Sequence, residues 1–274
     1  MFTGIVEDVG EVVSWRRTTG PKWDDPAQLV EQWELAVRPS RPDAFVDPGT
    51  SGTYVGASIC VSGVCLTVTR FGDGLLWFGV APETLRRTRW DQVLRAGGDA
   101  AATEGSSRVN LERAATANAR NSGHYVQGHV DGVARVVARE VDGDSLRITF
   151  LVLDGAPVAR YIVEKGFIAV DGTSLTVVHV DRAACTFSLM LVEHTQKCVV
   201  LPSKGVGDLV NVEVDVMAKY GAEHAERVSA ELTRRVDVLE RALLGTVAAL
   251  EARVADVERA LVAREPDAKR VRAE

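Results

Sequence analysis

The sequence contains few of the residues that mark zinc-binding, secreted or membrane-spanning proteins. Its 274 residues include four cysteines and five histidines, and none of the cysteines forms a Cys-x-x-Cys pair. A zinc site is therefore not expected. No apolar run approaches the roughly 20 residues that span a membrane, and the first residues do not resemble a signal peptide. We expect a cytoplasmic protein with reduced thiols.

An excess of positive charge is also missing. The formal net charge is −6, so neither nucleic acid nor an anionic membrane surface is expected as a partner. The sequence also lacks a glycine-rich nucleotide-binding loop. The hydrophobic content of 46% and the charged content of 26% are typical of a globular protein, and the length allows one large domain or two small ones.

The chain repeats itself in four blocks that keep their order. GIVEDVG at residues 4–10 returns as GHVDGVA at 128–134, SGVCLTV at 62–68 as DGTSLTV at 171–177, and VNLE at 109–112 as VNVE at 210–213, with a looser echo of residues 83–84 at 194–195. The spacing between matched blocks shrinks along the chain, so the first half must contain insertions. We predict loop insertions at residues 16–52, which include five prolines, and at residues 96–107, which are small and rich in glycine.

Each half is rich in short strand signals. Runs of β-branched and apolar residues are separated by breaks such as Asp73-Gly74 and Asp142-Gly143, which indicate tight turns. About six such runs per half predict a small antiparallel barrel in each half, because closing a sheet removes its exposed edges. A short helix is predicted at residues 82–89, since proline and glutamate suit a first helical turn.

From about residue 222 the composition becomes that of a helix. Residues 222–265 contain no proline and one glycine, and they are rich in Ala, Leu, Glu and Arg. Apolar residues recur every three or four positions, at Val228, Leu232, Val236, Leu239, Leu243, Val247, Leu250, Val254, Val257 and Leu261. The mean step of about 3.67 predicts one apolar stripe, buried against copies of the same helix. Residues 266–274 are expected to be disordered.

Eight segments together resemble one known family. They are MFTGIVE at residues 1–7, SGVCLTV at 62–68, PETLR at 82–86, VNLER at 109–113, GHYVQGHVD at 123–131, KGFI at 165–168, DGTSLTV at 171–177 and VNVEVD at 210–215. This ordered set resembles the riboflavin synthase family. The HTQ at 194–196 and the long final helix are most similar to its fungal-type members. Ser62 departs from the pattern, because the family usually has asparagine there.

The resemblance implies an all-β fold of two tandem six-stranded antiparallel Greek-key barrels. The first barrel is expected at residues 1–122 and the second at 123–220, followed by a helix at 221–265 that gathers three chains into a homotrimer. Each barrel is expected to bind one 6,7-dimethyl-8-ribityllumazine, and the working site to form where the first barrel of one chain faces the second barrel of a neighbour.

The implied reaction transfers a four-carbon unit from one lumazine to the other. Its products are riboflavin and 5-amino-6-ribitylaminouracil, and it needs no cofactor and no metal, because the substrate is both electron donor and acceptor. The alternative is a non-catalytic antenna-type protein that holds a lumazine or flavin. Such proteins have serine at the position of Cys65 and lack the Ser-Leu-Thr character of residues 174–176. This chain instead has cysteine at position 65 and Ser-Leu-Thr at 174–176.

The resemblance also implies which residues contact the substrate. For the first pocket they are Gly4, Ile5, Val6, Cys65, Leu66, Thr67, Gly79, Val80, Ala81, Pro82, Glu83 and Thr84. For the second pocket they are Gly128, His129, Val130, Ser174, Leu175, Thr176, Val192, Glu193, His194, Thr195, Gln196 and Lys197. Lys165 is expected to reach the ligand of a neighbouring chain.

Four of the implied residues are candidates for catalysis. They are Cys65, Ser174, His129 and Asp215. A thiolate of Cys65 could assist as a nucleophile, and His129 could transfer a proton because imidazole titrates near neutral pH. The structural alternatives are a buried apolar cysteine, a structural histidine and a solvent-exposed carboxylate at a strand end.

Overall fold

The computed structural model describes residues 1–21, 25, 27–47, 49, 52–90 and 108–270. Two compact units make up the chain, Met1–Lys219 and Tyr220–Glu274. The predicted insertion at residues 96–107 lies outside the described residues.

Unit Met1–Lys219 contains two closed antiparallel barrels of six strands each. The first barrel consists of β1 (Asp8–Pro21), β2 (Leu29–Arg38), β3 (Ser58–Val61), β4 (Val64–Gly72), β5 (Leu75–Val80) and β6 (Arg108–Arg113), with helices α1 (Pro42–Phe45) and α2 (Pro82–Arg87). The second consists of β7 (Gly132–Asp142), β8 (Ser145–Val152), β9 (Phe167–Val170), β10 (Thr173–Asp181), β11 (Thr186–Leu191) and β12 (Leu209–Val214), with helices α3 (Ala156–Ala159) and α4 (Glu193–Cys198) and a 3₁₀ turn (Leu201–Ser203). The predicted fold of tandem six-stranded barrels is confirmed.

Both barrels have the same strand order. The first is ordered β1-β2-β5-β4-β3-β6 and closes through β6 and β1, and the second has the corresponding order β7-β8-β11-β10-β9-β12. Each encloses its own apolar core. Leu76 and Phe78 are fully buried in the first barrel, while Phe150 and Phe187 stack at 5.1 Å in the second. The repeat read from the sequence is therefore a repeat of complete structural units.

The repeat extends to irregularities of the backbone. Register shifts interrupt β4 between Val68 and Arg70 and β10 between Val177 and His179. The turn before β4 has positive φ at Ser62 and Gly63, and the turn before β10 has positive φ at residues 171 and 172. Two-residue hairpin turns of this kind match the right-handed twist of the strands they join. β4 and β10 therefore have the same preceding turn and the same irregularity at equivalent positions of the two barrels.

The predicted loop at residues 16–52 is wrong for much of its length. β1 continues to Pro21 and pairs with β2 along an extended hairpin. Cross-strand pairs stabilise it: Trp15 and Trp33 have ring centroids 5.7 Å apart, and Arg16 bonds to Glu34 at 2.6 Å. The prolines of this segment suggested a loop, but Pro21 lies at the end of a strand, where a missing N–H donor costs little.

The final helix, α5, runs from Val216 to Arg270. Its first four residues belong to unit Met1–Lys219, and the rest belongs to unit Tyr220–Glu274. The helix starts earlier than predicted because Asp215 caps it, its Oδ1 accepting a hydrogen bond from the Met217 N–H at 3.0 Å. It also continues past residue 265 to Arg270. Residues 271–274 lie outside the described residues.

The apolar stripe of α5 is exposed within the chain. Leu239 is 68% exposed and Leu250 is 52% exposed, and the other stripe residues are similar. No helix in the described part of the chain is long and apolar enough to cross a lipid bilayer. The stripe is therefore an uncovered apolar surface on a helix of 55 residues.

Candidate functional site

Two buried asparagines join the barrels across an approximate two-fold axis. Asn110 donates from Nδ2 to the Asp171 carbonyl at 2.8 Å, and Asn211 donates from Nδ2 to the Ser62 carbonyl at 2.8 Å. Arg89 adds a buried ion pair, with its Nε 3.3 Å from Asp171 Oδ1. Hydrogen bonds shielded from water in this way are costly to break. The barrels therefore form one scaffold on which both candidate pockets are built.

The amino-terminal segment of the chain lies against the second barrel. The Gly4 carbonyl accepts a hydrogen bond from the Ser174 N–H of β10 at 2.8 Å, and Val6 packs against the core of the second barrel. A Cβ atom on Gly4 would lie 2.6 Å from the Ser174 Cβ. Gly4 also has φ +76°, so glycine is required both by the backbone and by the close approach.

The equivalent segment of the second half lies against the first barrel. The Gly128 carbonyl accepts a hydrogen bond from the Cys65 N–H of β4 at 2.9 Å, and Val130 packs against the core of the first barrel. A Cβ on Gly128, at φ +77°, would lie 2.6 Å from the Cys65 Cβ. Phe2 and Val126 pair with each other between the two segments.

The chain thus exchanges its two opening segments between the barrels. Gly4 and Val6, which the resemblance implies for the first pocket, pack on the second barrel. Gly128 and Val130, implied for the second pocket, pack on the first barrel. Each segment is followed by the first strand of its own barrel, β1 from Asp8 or β7 from Gly132. The sequence repeat therefore does not show that the residues before each strand pack on the other barrel.

Two buried glutamates hold the exchanged segments. Glu112 of β6 accepts hydrogen bonds from the Thr3 N–H and hydroxyl at 2.6 and 2.9 Å and from the Gly4 N–H at 3.0 Å. Glu213 of β12 accepts three bonds, from the backbone N–H groups of residues 127, 128 and 129 at 2.7, 2.8 and 2.9 Å. Each carboxylate thereby fixes the backbone that covers a pocket.

Burial raises the pKa of both carboxyl groups in spite of these donors. The pKa of Glu213 is raised to about 7, first by desolvation, and the pKa of Glu112 is also raised, again mainly by desolvation. A raised pKa means that the folded state favours the protonated form. The contribution of Glu213 to folding is therefore greatest at acid pH and declines as pH rises from about 4 to about 7.

The candidate site on the second barrel contains a serine–histidine pair. His124 Nδ1 and Ser174 Oγ lie 2.6 Å apart, and the imidazole stacks on the ring of Phe167 with centroids 5.1 Å apart. Burial lowers the pKa of His124, and the negative charge of Asp215 opposes that shift. The imidazole is therefore neutral at pH 7 and able to exchange a proton with the hydroxyl. His124 lies inside the GHYVQGHVD segment but was not singled out from the sequence.

The candidate site on the first barrel contains a cysteine in the place of that serine. Cys65 is half-buried on β4, with Leu66 buried and Thr67 exposed beside it. Its direct cross-strand partner is Cys60, which is buried. Burial, followed by the charges of nearby glutamates, raises the pKa of Cys60, so Cys60 is an inert thiol and Cys65 is the accessible one.

The comparisons with known proteins agree with this architecture of two related barrels. The family model of the lumazine binding domain matches residues 3–114 and 127–215. Riboflavin synthase of Meyerozyma guilliermondii is 41% identical over 223 residues, covering 80% of this chain and 83% of that protein. Riboflavin synthase of Schizosaccharomyces pombe is 40% identical over 235 residues, covering 86% of this chain and 99% of that protein.

The chain belongs to the riboflavin synthase family. Its relatives are named as synthases, and we assign the chain as an enzyme. Among solved structures, LumP complexed with 6,7-dimethyl-8-(1'-D-ribityl) lumazine is 18% identical, with a TM-score of 0.56, and covers 78% of this chain and 99% of LumP. At this identity the likeness to LumP concerns the fold.

Two further segments implied by the riboflavin synthase resemblance occupy equivalent places. Residues 79–84 run from the end of β5 into α2, and residues 192–197 follow β11 and enter α4. Gly79 lies near Thr69 of β4, since a Cβ there would be 3.7 Å from Thr69 Cγ2. Glu83 bonds to Arg86 at 2.7 Å, and its pKa is lowered mainly by the hydrogen bonds from Arg86 and Arg87.

Three further candidates of the riboflavin synthase pattern lie in different settings. His129 is exposed and is held through its backbone N–H by Glu213. Lys165 is exposed in a turn with φ +62°, and Asp215 caps α5 while its charge acts on His124. In the described ranges, no group of three His, Cys, Asp or Glu side chains is placed to hold a metal ion.

Proposed function

We propose that this protein is a riboflavin synthase that transfers a four-carbon unit between two molecules of 6,7-dimethyl-8-ribityllumazine. The products are riboflavin and 5-amino-6-ribitylaminouracil, which makes the enzyme a transferase. The observation that supports this most directly is that equivalent positions of two related barrels have unequal side chains. The first barrel has Cys65 on β4 where the second has Ser174 on β10, bonded to His124. A reaction between two copies of one molecule needs such a pair, because one copy gives carbon and the other receives it.

The chemistry requires one proton transfer and one addition at the start. The C7 methyl group of one lumazine loses a proton, and its carbanion is stabilised by delocalisation into the ring. C7 of the other lumazine receives a nucleophile. Neutral His124, bonded to Ser174, suits proton transfer, and the thiol of Cys65 suits addition. Holding the two rings face to face supplies several kcal/mol by removing translational freedom.

We further propose that three chains assemble through α5 in the cytoplasm. The first barrel of one chain would then face the second barrel of a neighbour, with Lys165 reaching across. The exposed stripe of α5 supports self-association, because apolar surface of this length is stabilised by burial. The site would be complete only in the assembly.

Turnover without any added cofactor is the expected result for the purified protein. Dialysed and chelator-treated protein incubated with the lumazine should release riboflavin and the pyrimidine in equal amounts, because substrate supplies both electrons and carbon. Absorbance and fluorescence of riboflavin, with chromatography of the pyrimidine, would measure this. Tight binding of the lumazine with no product would instead identify an antenna-type protein, and a strict need for nucleotide or metal would contradict the proposed reaction.

Substituting Cys65→Ser is expected to lower kcat strongly and to change lumazine affinity little. Serine keeps the size and the backbone bond to Gly128 but is a much weaker nucleophile than a thiolate near neutral pH. We expect a loss in kcat of roughly a hundredfold, measured by steady-state turnover beside a binding titration. The matched control is Cys60→Ala, which gives the first barrel the residue found at Ala169 of the second. Unchanged turnover in Cys65→Ser would make Cys65 a packing residue.

A further inference from the structure

The two buried glutamates act on pockets in the opposite barrels. Glu213 belongs to β12 of the second barrel, but the backbone that it holds covers Cys65 in the first. Glu112 belongs to β6 of the first barrel, but the backbone that it holds covers Ser174 in the second. Both glutamates lie in segments that resemble the family, but neither is among the substrate-contacting or catalytic residues that the resemblance implies.

In each contact a buried carboxyl group accepts hydrogen bonds from fixed donors. Both oxygens of Glu213 are used, with Oε1 bonded to the Gln127 N–H and Oε2 bonded to the Gly128 and His129 N–H groups. Both oxygens of Glu112 also accept hydrogen bonds, Oε1 from the Thr3 N–H and Oε2 from the Gly4 N–H. The two glutamates are only 3% and 5% exposed. A buried carboxylate with three donors is a strong and directional anchor.

The backbone positions held in this way are those that touch the reactive residues. The Gly128 carbonyl bonds to the Cys65 N–H at 2.9 Å, and the Gly4 carbonyl bonds to the Ser174 N–H at 2.8 Å. A shift of either segment at its glycine would therefore act most directly on the wall of one pocket. The side chains of Ile5 and His129, which follow these glycines, would move with the walls.

We propose that Glu213 and Glu112 are positioning residues that work crosswise: Glu213 shapes the first-barrel pocket and Glu112 shapes the second-barrel pocket. This inference rests on the proposed function, in that each pocket binds one lumazine or flavin. Each glutamate sets the place of a pocket wall through hydrogen bonds to main-chain N–H groups and does not itself contact the ligand.

The test counts riboflavin sites in the full-length protein by fluorescence titration. Wild type should show two sites per chain. Glu213→Gln places an amide N–H₂ against N–H donors, so it should weaken one site by roughly tenfold or more and leave the other within about twofold. Glu112→Gln should do the same to the other site and is the matched control for the first variant, since it makes the same substitution in the same setting.

Glycine substitutions identify which site is lost. Gly128→Ala blocks the first pocket and Gly4→Ala blocks the second, because each added Cβ would lie 2.6 Å from a pocket residue. Glu213→Gln combined with Gly128→Ala should retain one site of nearly wild-type affinity, and Glu213→Gln combined with Gly4→Ala should retain only the weakened site. Loss of the second-barrel site in Glu213→Gln, or an equal change in both sites, would overturn the crosswise assignment.

A folding failure and a failure of the proposed function give different results. If Glu213→Gln does not fold, Glu213→Asp keeps the charge but withdraws the oxygens from the donors, and it should weaken only the first-barrel site. An Asp variant that weakens both sites or neither overturns the proposal. Wild type that binds no flavin and forms no riboflavin would instead refute the proposed function.

Discussion

Replacing Leu239 and Leu250 with glutamate is expected to leave the protein mostly monomeric with little turnover. Both side chains lie on the exposed stripe of α5, and burying a leucine contributes about 1.5–3 kcal/mol in each chain. A buried glutamate in its place would be strongly unfavourable. If the site is shared between chains, we expect turnover to fall by roughly a hundredfold or more, because the two rings would then meet only in chance encounters.

Light scattering and a turnover assay on the same sample would check this. The matched control is Ala248→Glu with Ala252→Glu, which adds the same two charges about half a helical turn away from Leu250. The control should keep both the assembly and the activity. A fully active monomer would contradict a site shared between chains, and an intact but inactive trimer would mean that α5 affects the site in another way.

Replacing Gly128 with alanine is expected to abolish most turnover while the barrels stay folded. The added Cβ would lie 2.6 Å from the Cys65 Cβ and 2.7 Å from the Cys65 nitrogen, in a strand that cannot yield. We expect a loss of about 1–3 kcal/mol in the free energy of unfolding from overpacking. The larger effect should be a fall in kcat/KM of roughly a hundredfold, since a displacement of about 1 Å at a reacting centre is enough for that.

Gly143→Ala is the matched control for this substitution. Gly143 also has positive φ, at +64°, but a Cβ there meets nothing within 4 Å. It therefore reproduces the backbone strain of a left-handed alanine without the collision. Chemical denaturation and steady-state kinetics of both variants separate the two effects. Equal activities in Gly128→Ala and Gly143→Ala would show that the contact with Cys65 is unimportant for turnover.

The barrels could be predicted from the sequence because their signals are local and occur twice. Strand runs, the Asp73-Gly74 break and the short helix after residue 82 each follow from residues close together in the chain. The hairpin at residues 16–38 was missed because its prolines suggested a loop, while the Trp15–Trp33 pair that stabilises it depends on a strand register that no local pattern gives.

The candidate site was predicted only in part, since its contacts are not local. Cys65 and Ser174 follow from their equivalent places in the repeat. The contacts of Gly4 with Ser174 and of Gly128 with Cys65 join residues from different repeats, and a repeat that is symmetric in sequence gives no sign of an exchange. His124 was overlooked for a related reason, because its partner Ser174 lies 50 residues away.

The exchange of segments also constrains the order of events during synthesis. Phe2 leaves the ribosome well before the second barrel, yet it is buried at 1% exposure in a cluster that includes Val126 and Ala169. At 5–20 residues per second, Ala169 follows Phe2 roughly 8–33 s later. The segment around Phe2 must therefore stay uncovered and unaggregated until most of the second barrel exists. We expect the docking of this segment to be a late step of folding.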